Sequence, residues 1–197
     1  MKDYINIDFI FGVKSLVPRN DSVLSVLILF IFSGIAFGQD AQMNSKSIQA
    51  NFSQKSILAY QENSQNKLNE FYEYLSLYSS EKDENLKKQI RNNIFSMTEN
   101  GIQIPDFLSE NSKEIDLSEF LSKIENQLVL FEIKTLGNPG KTKMNQWTNS
   151  YVLSVKTKDN SNNFKVKQII HFEPKEKRFG SKTRTVWEMK LMDVVMD

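Results

Sequence analysis

The sequence predicts an α+β domain: amphipathic helices first, then an antiparallel meander of about four to five strands. Three observations predict it. Apolar residues recur at three- and four-residue steps between Leu68 and Met97. From Leu128 onward the texture turns β-rich and partly alternating. Short polar runs with turn chemistry separate the later apolar segments.

The first element is a leader. Val23 to Phe37, "VLSVLILFIFSGIAF", is the only long apolar run, with Lys14 and Arg19 before it and the polar "QDAQMNSKS" after it. Ala36-Phe37-Gly38 fits a small-x-small cleavage pattern. Residues 1–38 therefore read as a signal peptide cut after Gly38, placing the chain outside the cytoplasm, periplasmic or secreted. The alternative is a single uncleaved N-terminal membrane anchor. Fifteen helical residues reach only about 22 Å, short of a hydrocarbon core of roughly 30 Å, which favours cleavage. Contact with a membrane is expected only if the leader stays. Residues 39–56 read as a polar tether, and 57–197 as one domain of ordinary size.

Leu68, Phe71, Tyr72, Leu75 and Tyr78 form one helical stripe. Ser80 is expected to open a second helix, with Asp83 close to a capping-box position. Leu86, Ile90, Ile94 and Met97 form its stripe, and Asn100-Gly101 stops it. "IQIPDFL" reads as short and extended, Pro105 restricting it to an edge. Asp116 with Glu119 starts a third helix whose inner face is Phe120, Leu121 and Ile124. "LVLFEIKTL", "QWTNSYVLSVKT", "NFKVKQIIHFE" and "TRTVWEMKLMDVV" read as strands. "KDNSNN" and "PKEKRFGSK" read as the turns between the last three.

This order resembles the NTF2-like (cystatin-like) α+β cone, over about Asn66 to Val195. The resemblance is carried by element order and by the aromatic pattern of "NEFYEYLSLY" and "VWEMKLMDV". It implies helices packed into the hollow of a curved antiparallel sheet. The family holds isomerases, dehydratases and many non-catalytic binding or assembly modules, so shape alone does not choose a function.

Composition narrows the field. Twenty-five basic and twenty-four acidic residues nearly cancel, so no charge bias points to nucleic acid. Cysteine is absent and His171 is the one histidine. Thiolate zinc sites, cysteine nucleophiles and multi-histidine sites within one chain are thereby excluded. No cofactor and no metal site is expected.

The candidate motifs mostly fail their own requirements. "TLGNPGKT" ends like a phosphate loop, but Thr135 stands where the first glycine belongs, and a strand pattern follows instead of a helix. It reads as a connection between strands. "KDNSNN" puts Asp159, Ser161 and Asn163 at alternate positions, like a calcium loop. Phe164 replaces the required glycine and Ile170 the closing glutamate. Alternation in "FKVKQIIHF" sets Phe164, Val166, Ile170 and Phe172 on one face, and Lys165, Lys167, Ile169 and His171 on the other. His171 is thus expected outside any interior pocket, a surface histidine among lysines. No catalytic residue is assigned, because no carboxylate pair or histidine–carboxylate pair stands out by spacing.

Two candidate surfaces remain. Lys175, Lys177, Arg178, Lys182 and Arg184 make one basic end of the sheet, suited to an acidic partner or a lipid head group, although charge runs ordinarily serve solvation. The aromatics Phe71, Tyr72, Tyr74, Tyr78, Trp147, Tyr151 and Trp187 either fill the core or line a hollow. Tyr72, Trp147, Tyr151 and Trp187 are the pocket candidates. The first functional expectation is an exported, non-catalytic binding or assembly module, its partner a protein or another copy of the chain. The second is a small-molecule enzyme of isomerase or dehydratase type, drawing a buried ionisable group from Tyr72, Asp106, Tyr151 and Glu188.

Overall fold

A computed structural model of the chain describes residues 47–197 and two short N-terminal strands. Those strands, β1 (Tyr4–Asn6) and β2 (Leu16–Pro18), pair antiparallel and belong to a separate unit, Met1–Asn44. The apolar run of the expected leader, its cleavage point after Gly38 and the start of the expected tether lie outside the described residues. Among the described residues no helix is long and apolar enough to cross a membrane.

The unit Ser45–Asp197 is built around one long helix. The stretch expected to be a tether folds into helix from Ile48 onward. α1 (Ile48–Asn51) is a single turn whose Ile48 is fully buried. α2 (Gln54–Ser80) spans about 40 Å, at 1.5 Å per residue. Ser53 caps it, its hydroxyl accepting from the Ser56 amide. Its buried stripe runs Ile57, Gln61, Ser64, Leu68, Phe71, Tyr72, Leu75 and Tyr78. Ser80 does not open the next helix but closes α2. Glu81 holds the turn by accepting from the Lys82 and Asp83 amides. Asp83 then caps α3 (Glu84–Met97) through the Leu86 amide. On α3 the buried stripe is Ile90, Ile94 and Met97. Leu86, expected inside, is exposed, and Lys87 is buried in its place, paired with Glu125 at 3.0 Å and Glu84 at 3.3 Å.

β3 (Gln103–Pro105) pairs with β4 (Glu114–Asp116) in a two-stranded sheet, with Ile104 opposite Ile115. Asp116 caps α4 (Leu117–Ile124) at the Ser118 amide, while Glu119 turns to Lys123. Phe120, Leu121 and Ile124 are all fully buried, as their spacing requires.

Four antiparallel strands follow in sequence order: β5 (Leu130–Leu136), β6 (Gln146–Lys156), β7 (Ser161–Phe179) and β8 (Lys182–Met196). The sheet curls strongly into a half-barrel with the helices packed on it. Register shifts between Ile133 and Thr135 and between Gln168 and Ile170 mark bulges, which bend a strand and increase its twist. The core-facing set is Trp147, Tyr151, Leu153 and Val155 from β6, Val166, Ile170 and Phe172 from β7, and Met189, Leu191 and Val194 from β8. Each large side chain sealed here contributes on the order of 1.5–3 kcal/mol.

The β7–β8 connection is far shorter than expected. "PKEKRFGSK" is not a turn. β7 runs through Pro174 to Phe179, and only Gly180 and Ser181 separate it from β8. Gly180 has φ +64°, which explains glycine there. β6 pairs with β7 only as far as His171. Beyond that point Glu173–Phe179 and Lys182–Glu188 form a two-stranded arm of about 20 Å, from the usual 3.3–3.4 Å per residue.

Candidate functional site

α2 packs on the core-facing side of the curled sheet. Opposite β6, the helix carries the small Ser64, whose hydroxyl accepts from Trp147 Nε1 at 3.1 Å and Asn149 Nδ2 at 2.8 Å. The same hydroxyl donates to the Gln61 carbonyl at 2.6 Å. Two turns further on, Tyr72 and Tyr151 share a hydroxyl–hydroxyl bond of 2.8 Å. Tyr151 also bonds Gln168 Oε1 at 3.1 Å, and Gln168 Nε2 donates to the Met192 carbonyl at 3.0 Å. Burial pushes both phenols well above their ordinary range. The contact with Tyr151 pulls Tyr72 back slightly, while Tyr72 pushes Tyr151 further up. Both are therefore neutral at physiological pH and unsuited to act as general bases.

The four pocket candidates do not converge on one space. Tyr72 and Tyr151 touch each other, at 1% and 4% exposure. Trp147, 2% exposed, is held by Ser64 and stacks edge-on with Phe172. Trp187 sits at the root of the arm, its ring centroid 5.0 Å from Phe52 and 5.1 Å from Phe172. Trp187 Nε1 and Asn149 Oδ1 are buried without a hydrogen-bond partner among the described residues.

The enzyme-type candidates are likewise separated. Asp106 is 5% exposed, and its carboxylate meets Lys123 Nζ at 2.9 Å and the Leu108 amide at 3.1 Å. It lines a cleft of about 470 Å³ with Glu114, Asp116, Glu119 and Lys123, built from β3, β4, α4 and their loops rather than from the curled sheet. Glu188 lies on the arm. Its burial favours protonation, but Lys190, Lys177 and Lys175 outweigh it and hold the carboxyl below the usual range.

The basic residues are on the arm, divided between its faces. Opposed pairs share a face, so Lys175, Lys177, Phe179, Lys182 and Arg184 fall together, while Arg178 falls on the other. Lys175 and Lys177 are drawn onto Glu188, at 3.4 and 3.3 Å. Lys182 and Arg184 are exposed, as is Phe179 at the tip.

His171 does lie on the face away from the core, as alternation predicts, but it is not simply a surface histidine among lysines. It is half-buried, and its Nε2 is 3.8 Å from Glu173 Oε2. The two residues stand two apart on one strand, a same-face spacing that the reading of the sequence passed over.

The motif loops behave as connections. In "TLGNPGKT" the Gly137 and Gly140 amides continue the ladder to the Ser150 and Thr148 carbonyls, at 2.7 and 2.8 Å. A Cβ on Gly137 would stand 3.0 Å from the Ser150 oxygen, so close backbone approach, not phosphate, accounts for this glycine. Gln65 and Gln61 of α2 donate to the Gly137 and Gly140 carbonyls and pin the loop to the helix. In "KDNSNN" only Lys158 to Asn160 form the turn, closed between Thr157 and Asn160, while Ser161 to Asn163 already belong to β7.

No family model matches this chain, and no curated protein matches it. The class it defines is the coarser one: α+β, with helices on a curled antiparallel half-barrel.

Proposed function

We propose that this chain is an exported, non-catalytic binding module of NTF2-like shape, whose arm engages the acidic surface of a partner protein. One observation carries the reading. The polar groups that would serve a ligand in the hollow, Ser64, Tyr72, Trp147, Tyr151 and Gln168, already bond one another or their neighbours. Binding is then left to the exterior. There the arm presents exposed cations, Lys182 and Arg184 among them, beside the exposed aromatic Phe179. Among the described residues both sides of the arm carry unpaired strand edges, which accept an added strand from a partner. Export rests on the leader pattern ending at Gly38. NTF2-like kinship is supported by helices preceding a curled four-strand sheet.

The test uses polyglutamate as an acidic probe, with fluorescence anisotropy at low salt. Wild type is expected to bind, and to release the probe as salt screens the contact. The Lys182→Glu/Arg184→Glu variant is expected to bind about tenfold more weakly, as reversing exposed interface charges does. Tyr72→Phe is expected to bind like wild type. Equal binding by the charge-reversed variant would sink the arm reading.

A second reading, a small-molecule enzyme, draws on the 470 Å³ cleft beside Asp106. Its weakness is that Lys123 neutralises the buried carboxylate of that cleft. Isothermal titration of small carbonyl compounds against wild type and Asp106→Asn distinguishes it. Binding of such a compound lost in Asp106→Asn would move the function to that cleft.

A further inference from the structure

The exit of α3 carries a carboxylate with an unusual environment. The Glu99 amide is tied to the Leu191 carbonyl of β8 at 3.0 Å, and Thr98 bridges the same residue. This anchors Glu99 at the sheet edge. Its Oε1 is sealed from solvent and has no hydrogen-bond partner among the described residues. A charged oxygen stripped of water and left without a donor is costly, and protein groups of this kind are ordinarily satisfied by a donor or a cation.

Two further ligand-bearing side chains lie beside Glu99. Ligand atoms of Glu99, His171 and Glu173 lie within 4.8 Å of one another, and all three residues are half-buried. The His171–Glu173 separation of 3.8 Å is too long for a hydrogen bond. It suits two ligands of one ion. Zinc–ligand bonds of about 2.0–2.2 Å set neighbouring donors about 3.4 Å apart in a tetrahedral site.

Of the local cations, Lys175 lies against the site, on Glu173 and near enough Glu99 to feel its charge, while Lys190 is held away. Lys175 Nζ takes the other oxygen of Glu173 at 3.4 Å, together with Glu188 at 3.4 Å, leaving Glu173 Oε2 facing the imidazole. Lys190, opposite His171 on β8, donates to the Ser96 carbonyl.

We propose that Glu99, His171 and Glu173 bind a divalent transition-metal ion of the zinc type. One imidazole and two carboxylates, one of them shared with Lys175, offer nitrogen and oxygen donors that suit zinc, nickel or cobalt. The ion would clip the end of α3 to β7 across β8. It involves neither the arm tip nor the interior of the sheet.

The test is titration of zinc into the untagged full chain by calorimetry, with thermal unfolding alongside. Expected are one ion per chain and a rise in Tm with zinc. Glu99→Gln and His171→Ala should each weaken binding by at least about tenfold, the lower range for losing even a partner of a ligand. Lys175→Ala should bind more tightly, because it frees Glu173. His171 is the only histidine, so X-ray absorption of the wild-type zinc complex must show a single imidazole, whatever the variants' folding. No binding by wild type, binding unchanged in both ligand variants, or an absorption spectrum without imidazole would each overturn the site.

Discussion

The interior of the curled sheet and the arm are made from the same strands, yet they treat polar groups in opposite ways. Inside, Tyr72, Tyr151, Gln168, Ser64 and Trp147 bond one another in a space closed to water. On the arm, Lys175, Lys177 and Glu188 pair under partial exposure, where water and salt compete. The difference lies in what covers each strand. β6 and the first half of β7 lie under α2. Beyond Phe172 the aromatic cluster with Phe52, Tyr60 and Trp187 is the last apolar cover, and the strands run on as a bare ribbon. Interior bonds should therefore govern stability, while the arm should tolerate change and be free to serve recognition.

Substitutions can break or sharpen this contrast. The largest effect is expected from Trp147→Ala, which removes the biggest buried side chain and leaves a cavity under α2. A loss of about 3–5 kcal/mol should appear in urea unfolding. Tyr151→Phe comes next, because it strands both Tyr72 and Gln168. A loss of about 1–3 kcal/mol is expected. Tyr72→Phe should cost less, about 1 kcal/mol, since Tyr151 keeps its bond to Gln168. Reversal of that order would mean the network is not wired as described.

The same phenols set the alkaline limit. Their folded pKa values are raised, so their contribution is present below the unfolded value of about 10 and is lost as pH rises above it. Melting from pH 9 to 12 should show a steep fall in Tm, shallower in the Tyr72→Phe/Tyr151→Phe double variant. The smallest effect belongs to the arm. Lys177→Ala should change stability by no more than about 0.5 kcal/mol. A loss as large as that of Tyr151→Phe would show that the ribbon is part of the core after all.

Much of the helical layer was legible because burial imposes a period: Leu68 to Tyr78 and Phe120 to Ile124 lie where spacing put them. Local competition blurred the boundaries. Ser80 and Asp83 are both good caps, and Asp83 prevailed because Leu77 still accepts a helical bond from Glu81. Lys87 was hidden because a buried ammonium depends on Glu125, far along the chain.

The arm was masked by Pro174 and Gly180, which read as turn chemistry. Proline is tolerated in a strand whose amide faces an open edge, and β6 has ended before Pro174. Glu99 could not be joined to His171 from spacing, since the two meet only through the docking of α3's exit on β8.

The long helix also fixes an order of events. α2 is complete by Ser80, but its partners come much later: Val129 for Ser79, Trp147 for Ser64 and Met189 for Lys67. Those residues follow their helix partners by 50 to 122 positions, so the tyrosine-rich stripe can meet α3 first and the sheet only once β5 to β8 have been made.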